Sequence, residues 1–229
     1  MESLDAIKAR IETAVPGAQV AVVPNPGPAN QPSLLLGNEH ALRVARFLHD
    51  DPELRLDFCS NVTGVDWLDR NVKKTVKVKE IVDGVEKDVD KTEEENIPGY
   101  LEAVYHLFSM ALKHGPVIIR MRTADRVEGV HMPSLTPVWR SAELQEREIY
   151  DLYGIVFDGH PDLRRILMWE GYPYFPLRKE FPLEGLPSNM PDVAFTNAAP
   201  LEGGPFVTRP ATATTKDREP RARPAPGQL

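Results

Sequence analysis

One cysteine, Cys59, is all that the 229-residue chain contains. An internal disulfide, a thiolate-ligated iron–sulfur cluster and a cysteine-rich zinc site are therefore excluded for want of partners. Such sparing use of thiols fits a reducing compartment, and in a strand-like run Cys59 reads as a buried, inert thiol. The six histidines, at 40, 49, 106, 114, 131 and 160, show neither H-x-x-x-H nor H-E-x-x-H spacing, so no local metal site is expected. A glycine-rich phosphate loop ending in Gly-Lys-Ser/Thr is missing, as is G-x-G-x-x-G after a strand, which argues against an autonomous NTPase or dehydrogenase. No apolar run approaches the roughly 18–20 residues of a spanning helix. The start, Met1-Glu2-Ser3-Leu4-Asp5, has acids where a signal peptide has a basic region. Synthesis in the cytosol is expected, with membrane association only through partners. Basic residues are in the minority, 27 against 34 acidic for a net charge of −7, and such a balance repels nucleic-acid phosphates.

Apolar residues make up 41% and charged residues 27%, the composition of a globular chain. Leu4, Ile7, Ile11 and Ala14 predict a helix from Ser3 to Val15, stopped by Pro16-Gly17. Strand-like runs follow at Gln19–Val23 and Leu34–Leu36. A second helix has Asn38 as N-cap and Ala41, Leu42, Ala45 and Leu48 on one stripe. Leu54, Leu56 and Phe58 alternate with polar residues as in a strand, and further strands are expected at 100–110 and 116–123. Between these lies an insert at 71–96, where Val76–Lys79, the pair Asp83-Gly84 and Val85–Val89 signal a hairpin, and Thr92–Glu95 reads as solvated. Ser141–Tyr153 predicts a helix with Ser141 as N-cap, Leu144, Ile149, Leu152 and Tyr153 as its apolar positions, and Gly154 as C-cap. The 22 prolines crowd toward the end. Residues 1–186 read as one domain and 187–229 as an extended tail, mobile or docked on a partner, in which Arg209, Lys216, Arg218, Arg221 and Arg223 outnumber Asp217 and Glu219.

The densest group of unusual residues runs from Glu146-Arg147-Glu148-Ile149-Tyr150-Asp151-Leu152-Tyr153-Gly154-Ile155 into Gly159-His160-Pro161-Asp162-Leu163-Arg164-Arg165-Ile166-Leu167. Arg147 can reach Asp151 at i+4. The stretch reads either as a helix whose ion pairs lock a tight turn or as a docking face, since Arg and Tyr are typical interface anchors. A catalytic reading lacks a recognisable triad.

This run resembles, in nearly every position, the signature E-R-E-[IVL]-[YW]-D-[ML]-[FY]-G-[IV]-x-F-x-G-H-P-D-L-R-R-I-L of the C-type (30 kDa-type) subunits of the proton-translocating NADH–quinone oxidoreductase, respiratory complex I. Val104-Tyr105-His106-Leu107-Phe108-Ser109, Pro133-Ser134-Leu135-Thr136-Pro137-Val138-Trp139 and Pro176-Leu177-Arg178-Lys179-Glu180-Phe181-Pro182 are similar to further motifs of that family. The likeness covers about Leu34 to Pro182. Ala142-Glu143-Leu144 stands where the family commonly has Ala-Asn-Trp, and Trp169–Lys179 is longer than the family's W-E-G-H-P-L-R-K and lacks its histidine. The resemblance implies an α+β fold with helices on a mixed sheet in two layers. It implies a non-redox structural component of the peripheral arm, beside the B and D subunits, on the cytoplasmic side of the inner membrane if bacterial. No cofactor is expected in this chain, FMN and iron–sulfur clusters belonging to other subunits. Glu146, Arg147, Glu148, Tyr150, Asp151, Gly154, His160, Pro161, Asp162, Arg164, Arg165, Arg178 and Lys179 are the expected determinants of local structure and subunit docking, with Arg147 pairing Asp151 or a partner's carboxylate. The alternatives are a homologous subunit of a membrane-bound hydrogenase or ferredoxin-linked complex, and a free-standing binding or assembly protein.

Overall fold

Alternation along one strand sets the architecture. In the segment Tyr100–Ser109, Leu101, Ala103, Tyr105 and Leu107 all point into the core, as a pleated strand with one face covered requires. The computed structural model describes residues 2–186 apart from 26, 83, 84 and 184, and for residues 73–94 the backbone alone. The tail expected at 187–229 lies outside the described residues. In chain order the elements are α1 (Leu4–Ala14), β1 (Val20–Val23), β2 (Ser33–Leu36), α2 (Ala41–Asp50), β3 (Phe58–Trp67), β4 (Arg70–Val82), β5 (Val85–Ile97), β6 (Tyr100–Ser109), β7 (His114–Arg122), β8 (His131–Pro133), α3 (Glu143–Tyr153) and β9 (Val156–Asp158).

The main sheet has five strands in the order β1-β2-β7-β6-β3. It is mixed: β2 runs parallel to β7, with Leu34 opposite Ile119, and the other neighbours are antiparallel. Ile7 and Ile11 of α1, Val44, Ala45 and Leu48 of α2, and Ile149 of α3 join the cluster that holds Ile119, Met121, Leu34 and Leu36. The three helices thus cover one face of the sheet, the expected two-layer α+β arrangement. Ser3 caps α1, its hydroxyl accepting from the Ala6 N–H at 3.2 Å. Arg10 then clamps α1 to the end of α2 by donating to both oxygens of Asp51 at 2.6 Å.

The hairpin insert is present as its own two-stranded sheet, β4 with β5. Strand β5 runs on to Ile97, so Thr92–Glu95 belongs to the strand. The register sets Lys73 opposite Glu94, Lys74 opposite Glu93, Lys77 opposite Asp90 and Lys79 opposite Asp88.

Four local expectations are corrected. Asn38 does not cap α2: a 3-10 turn at Asn38–His40 precedes the helix, and the Asn38 amide donates to the Arg122 carbonyl at 2.9 Å. Leu54 and Leu56 are buried in a loop, because Arg55 adopts φ 40° and breaks the extended run before β3 begins at Phe58. Ser141 does not cap α3. It lies in a 3-10 turn, and its hydroxyl donates to the Cys59 carbonyl at 2.8 Å. Leu144 is exposed, and it is Glu146, Arg147 and Asp151 that α3 buries.

One glycine sets how closely α3 approaches the sheet: a Cβ added at Gly64 of β3 would lie 2.6 Å from the Tyr153 ring. Gly64→Ala is expected to cost about 1–3 kcal/mol by overpacking, measured by urea unfolding, and Tyr153→Leu in the same chain should recover most of the loss.

Candidate functional site

Three hydrogen bonds seat α3. The Trp139 indole donates to the Leu56 carbonyl at 2.7 Å, Ser141 donates to the Cys59 carbonyl, and the Gln145 side-chain oxygen accepts the Val62 N–H at 2.5 Å. The inward-facing helix positions then carry two carboxylates where apolar residues would be usual.

Glu146 is fully buried and saturated. Its Oε1 accepts from the Tyr105 hydroxyl at 3.0 Å and the Leu135 N–H at 2.9 Å, and its Oε2 from the hydroxyls of Ser134 at 2.5 Å and Thr136 at 3.0 Å. Burial pushes the carboxyl above its ordinary range, and the donors pull it back only in part. Near it, burial drives the Cys59 thiol up to about 12, which leaves it inert as a nucleophile at neutral pH.

Asp151, also fully buried, gathers the following loop. Its Oδ2 accepts the N–H groups of Ile166, Leu167 and Met168 at 3.0, 2.7 and 2.8 Å. Arg165 donates to its Oδ1 at 2.6 Å and to its carbonyl at 2.8 Å. Burial alone would raise this carboxyl. The Met168 N–H, Arg165 and the two other N–H groups outweigh it and hold Asp151 below the ordinary range.

Arg147 therefore does not pair with Asp151, which Arg165 has taken. It donates to the carbonyls of Arg164 at 3.1 Å and Arg165 at 3.2 Å, with Asp162 at 4.0 Å. Arg165 also donates to the Tyr172 carbonyl at 2.7 Å, and its guanidinium lies 5.3 Å from the Phe175 ring centre. The lengthened segment after Trp169 supplies these aromatics, Trp169, Tyr172 and Tyr174 meeting edge to face. Gly154 ends α3 at φ 80°, and a Cβ there would strike the Phe175 ring at 2.7 Å. Arg178 donates to the carbonyls of Tyr153, Arg126 and Val127 at 2.7, 2.8 and 3.2 Å. His160 bridges the Glu143 carbonyl through Nε2 at 2.9 Å and the Asp162 N–H through Nδ1 at 3.1 Å; a carbonyl only accepts and an N–H only donates, so Nε2 donates and Nδ1 accepts.

The structure thus brings Arg147, Asp151, Gly154, Arg165 and Arg178 into one scaffold around the loops that follow α3, with His160 and Asp162 at its edge. Glu146 faces the opposite way, toward the sheet. Glu148, Pro161, Arg164 and the side chain of Lys179 are exposed, and Tyr150 is half-buried against the core. Sequence reasoning passes over Asp66 and Glu102. Asp66, buried on β3, takes a two-pronged bond from Arg126 at 2.6 and 2.7 Å and the Lys179 N–H at 2.8 Å. Glu102, buried on β6, accepts from Trp67, Arg120 and Arg122 at 3.0, 3.3 and 2.9 Å. For Asp66 the signal was an acid in period-two register with the inward Val62 and Gly64. Among the described residues no group of three His, Cys, Asp or Glu side chains is placed to hold a metal ion, and no helix is long and apolar enough to cross a membrane.

The model of the family described as respiratory-chain NADH dehydrogenase, 30 Kd subunit, matches residues 34–187. The chain belongs to this family. It is 38% identical over 178 residues to the second C subunit of the NADH-quinone oxidoreductase of Rhizobium meliloti (strain 1021), covering 72% of this chain and 80% of that one. It is 40% identical over 152 residues to the C subunit of the NADH-quinone oxidoreductase of Saccharopolyspora erythraea, covering 65% of this chain but 48% of that relative, about half its length. Among solved structures, a chain of the membrane-bound sulfane sulfur reductase, an archaeal respiratory membrane complex, matches with a TM-score of 0.51 at 18% identity, covering 80% of this chain and 87% of that one. That likeness shows the fold alone. Tyr105, Ser134, Leu135 and Thr136, the donors that hold Glu146, all lie within the residues that the family model matches.

Replacing Asp151 by Asn leaves the mostly buried Arg165 without a countercharge and turns an amide N–H₂ toward donors, so about 3–5 kcal/mol should be lost at pH 7 in urea unfolding. A depressed folded pKa stabilises fully above the unfolded value, 3.8 for Asp, and the contribution disappears as pH falls through the folded value. The gap between wild type and Asp151→Asn should therefore be constant above about pH 5 and shrink below about pH 4.

Proposed function

We propose that this chain is a non-redox structural subunit of the peripheral arm of an NADH–quinone oxidoreductase, lying beside the B and D subunits and reaching the membrane only through the complex, on the cytoplasmic side of the inner membrane if bacterial. In that reading FMN and iron–sulfur clusters in other subunits carry electrons from NADH to quinone, and the complex couples this to proton translocation. Family membership supports the assignment to the complex. The observation that carries the structural role is the use made of the signature: Glu146 and Asp151 have their oxygens occupied by donors of this same chain, and Arg147, Arg165 and Arg178 are committed to backbone carbonyls. Groups so engaged fix loop positions; a general base needs a free lone pair facing a cleft. The fold shared with a chain of the archaeal sulfane sulfur reductase favours a second reading, a homologous subunit of a related membrane-bound, ferredoxin-linked or hydrogenase-type complex. Mass spectrometry of a native pull-down separates the two by the subunits recovered: NADH-binding subunits for the first, a nickel–iron large subunit for a hydrogenase.

Arg147→Lys keeps the charge but loses the fork that spans two successive carbonyls. It should lower the yield of assembled complex and its NADH–quinone activity in parallel, as read from native gels and turnover per complex. Normal assembly with selectively lost turnover would overturn the structural reading. The purified chain should show no flavin or cluster absorption after gel filtration, and a stoichiometric chromophore would count against the role equally.

A further inference from the structure

The loop after α3 is held by its backbone and displays its side chains. The amides of Ile166, Leu167 and Met168 converge on Asp151 Oδ2, while Arg147 grips the carbonyls of Arg164 and Arg165. With the peptide groups turned toward α3, the side chains turn away: Ile166 is 38% and Leu167 58% exposed. Leu144 lies on the helix stripe of Arg147 and Asp151, by its i, i+3 and i+7 spacing, and is 56% exposed. Scattered exposed apolar residues are ordinary. Here two neighbours are fixed outward by buried charged groups, and Leu144 lies one helical turn from the Arg147 that grips their loop; exposed apolar side chains held in this way mark a contact surface.

Resting on the proposed function, we infer that Leu144, Ile166 and Leu167 seat in an apolar pocket of a neighbouring subunit that carries a carboxylate at its rim for Arg164. The charge decides the occupant. Arg164 is 70% exposed at its side chain, and Asp162 engages only its Nε, at 2.8 Å. The two terminal nitrogens are thus left to grip a carboxylate in parallel bonds. A second copy meeting this patch about a two-fold axis would set Arg164 against Arg164. The chain's own residues 208–229, with Arg209, Lys216, Arg218, Arg221 and Arg223 against Asp217 and Glu219, carry the same sign as Arg164. An acidic-rimmed, heterologous partner is what the patch fits.

The test introduces Leu167→Glu and Arg164→Glu separately into the host strain and follows the chain in the native complex, its subunits identified by mass spectrometry. Both residues are exposed, so the isolated variants should melt within about 2 °C of wild type. Each should enter the complex at least about tenfold less, and Leu167→Met should assemble normally. Assembly of either glutamate variant at the wild-type level would overturn the inference while leaving the proposed function standing. Absence of the wild-type chain from the complex would overturn both.

Discussion

The Asp151 carboxylate has exchanged all of its water for one loop: three consecutive amides and a guanidinium from residues 165–168 surround it. A buried charge is tolerable only when its acceptor sites are filled in good geometry, so the loop has one position in which α3 can be buried at all. The constraint propagates. Arg165, pinned by Asp151, organises the aromatic segment from Trp169 to Phe175, and Phe175 in turn demands the bare Cα of Gly154. Beyond Phe175, Arg178 ties the chain to three carbonyls of two other segments, and Lys179 reaches Asp66 on the sheet.

Glu146 performs the complementary task on the other side of the same helix. Its four donors come from β6 and from the segment just before α3, so it fixes the helix to the sheet while Asp151 fixes the loop to the helix. The two carboxylates sit five positions apart and face opposite partners, and their ordinary ionisation is displaced in opposite directions. Each has given up its hydration, and the donors around it take the place of that water.

What the sequence discloses and withholds follows from range. The hairpin is legible because Asp83-Gly84 and alternating β-branched residues are local signals, and the strands around Tyr105 and Ile119 are legible from their apolar runs. Ser141 and Asn38 mislead because a polar residue ahead of an apolar stripe has the appearance of a cap. Their side chains instead bond carbonyls of β3 and β7, distant in sequence. Leu144 reads as core because helix periodicity treats every carboxylate as solvent-facing, and Glu146 and Asp151 violate that rule at positions the apolar stripe would have claimed. Arg147 is within reach of Asp151 by spacing, but spacing does not register a competitor arriving from Arg165. The signature is recognisable as a unit; the division of labour inside it is not.

The parallel pairing of β2 with β7 has a kinetic corollary. It joins Leu34 to Ile119 across everything between them, whereas β6 and β7 are linked by a short turn and β3 and β6 by the hairpin. Closing the larger loop carries the greater entropic cost before any contact offsets it, so the β3–β6–β7 meander is the natural early nucleus. The N-terminal elements are latecomers in this order. As the chain leaves the ribosome α1, β1 and β2 emerge first, yet the edge against which β2 pairs is not made until β7 follows.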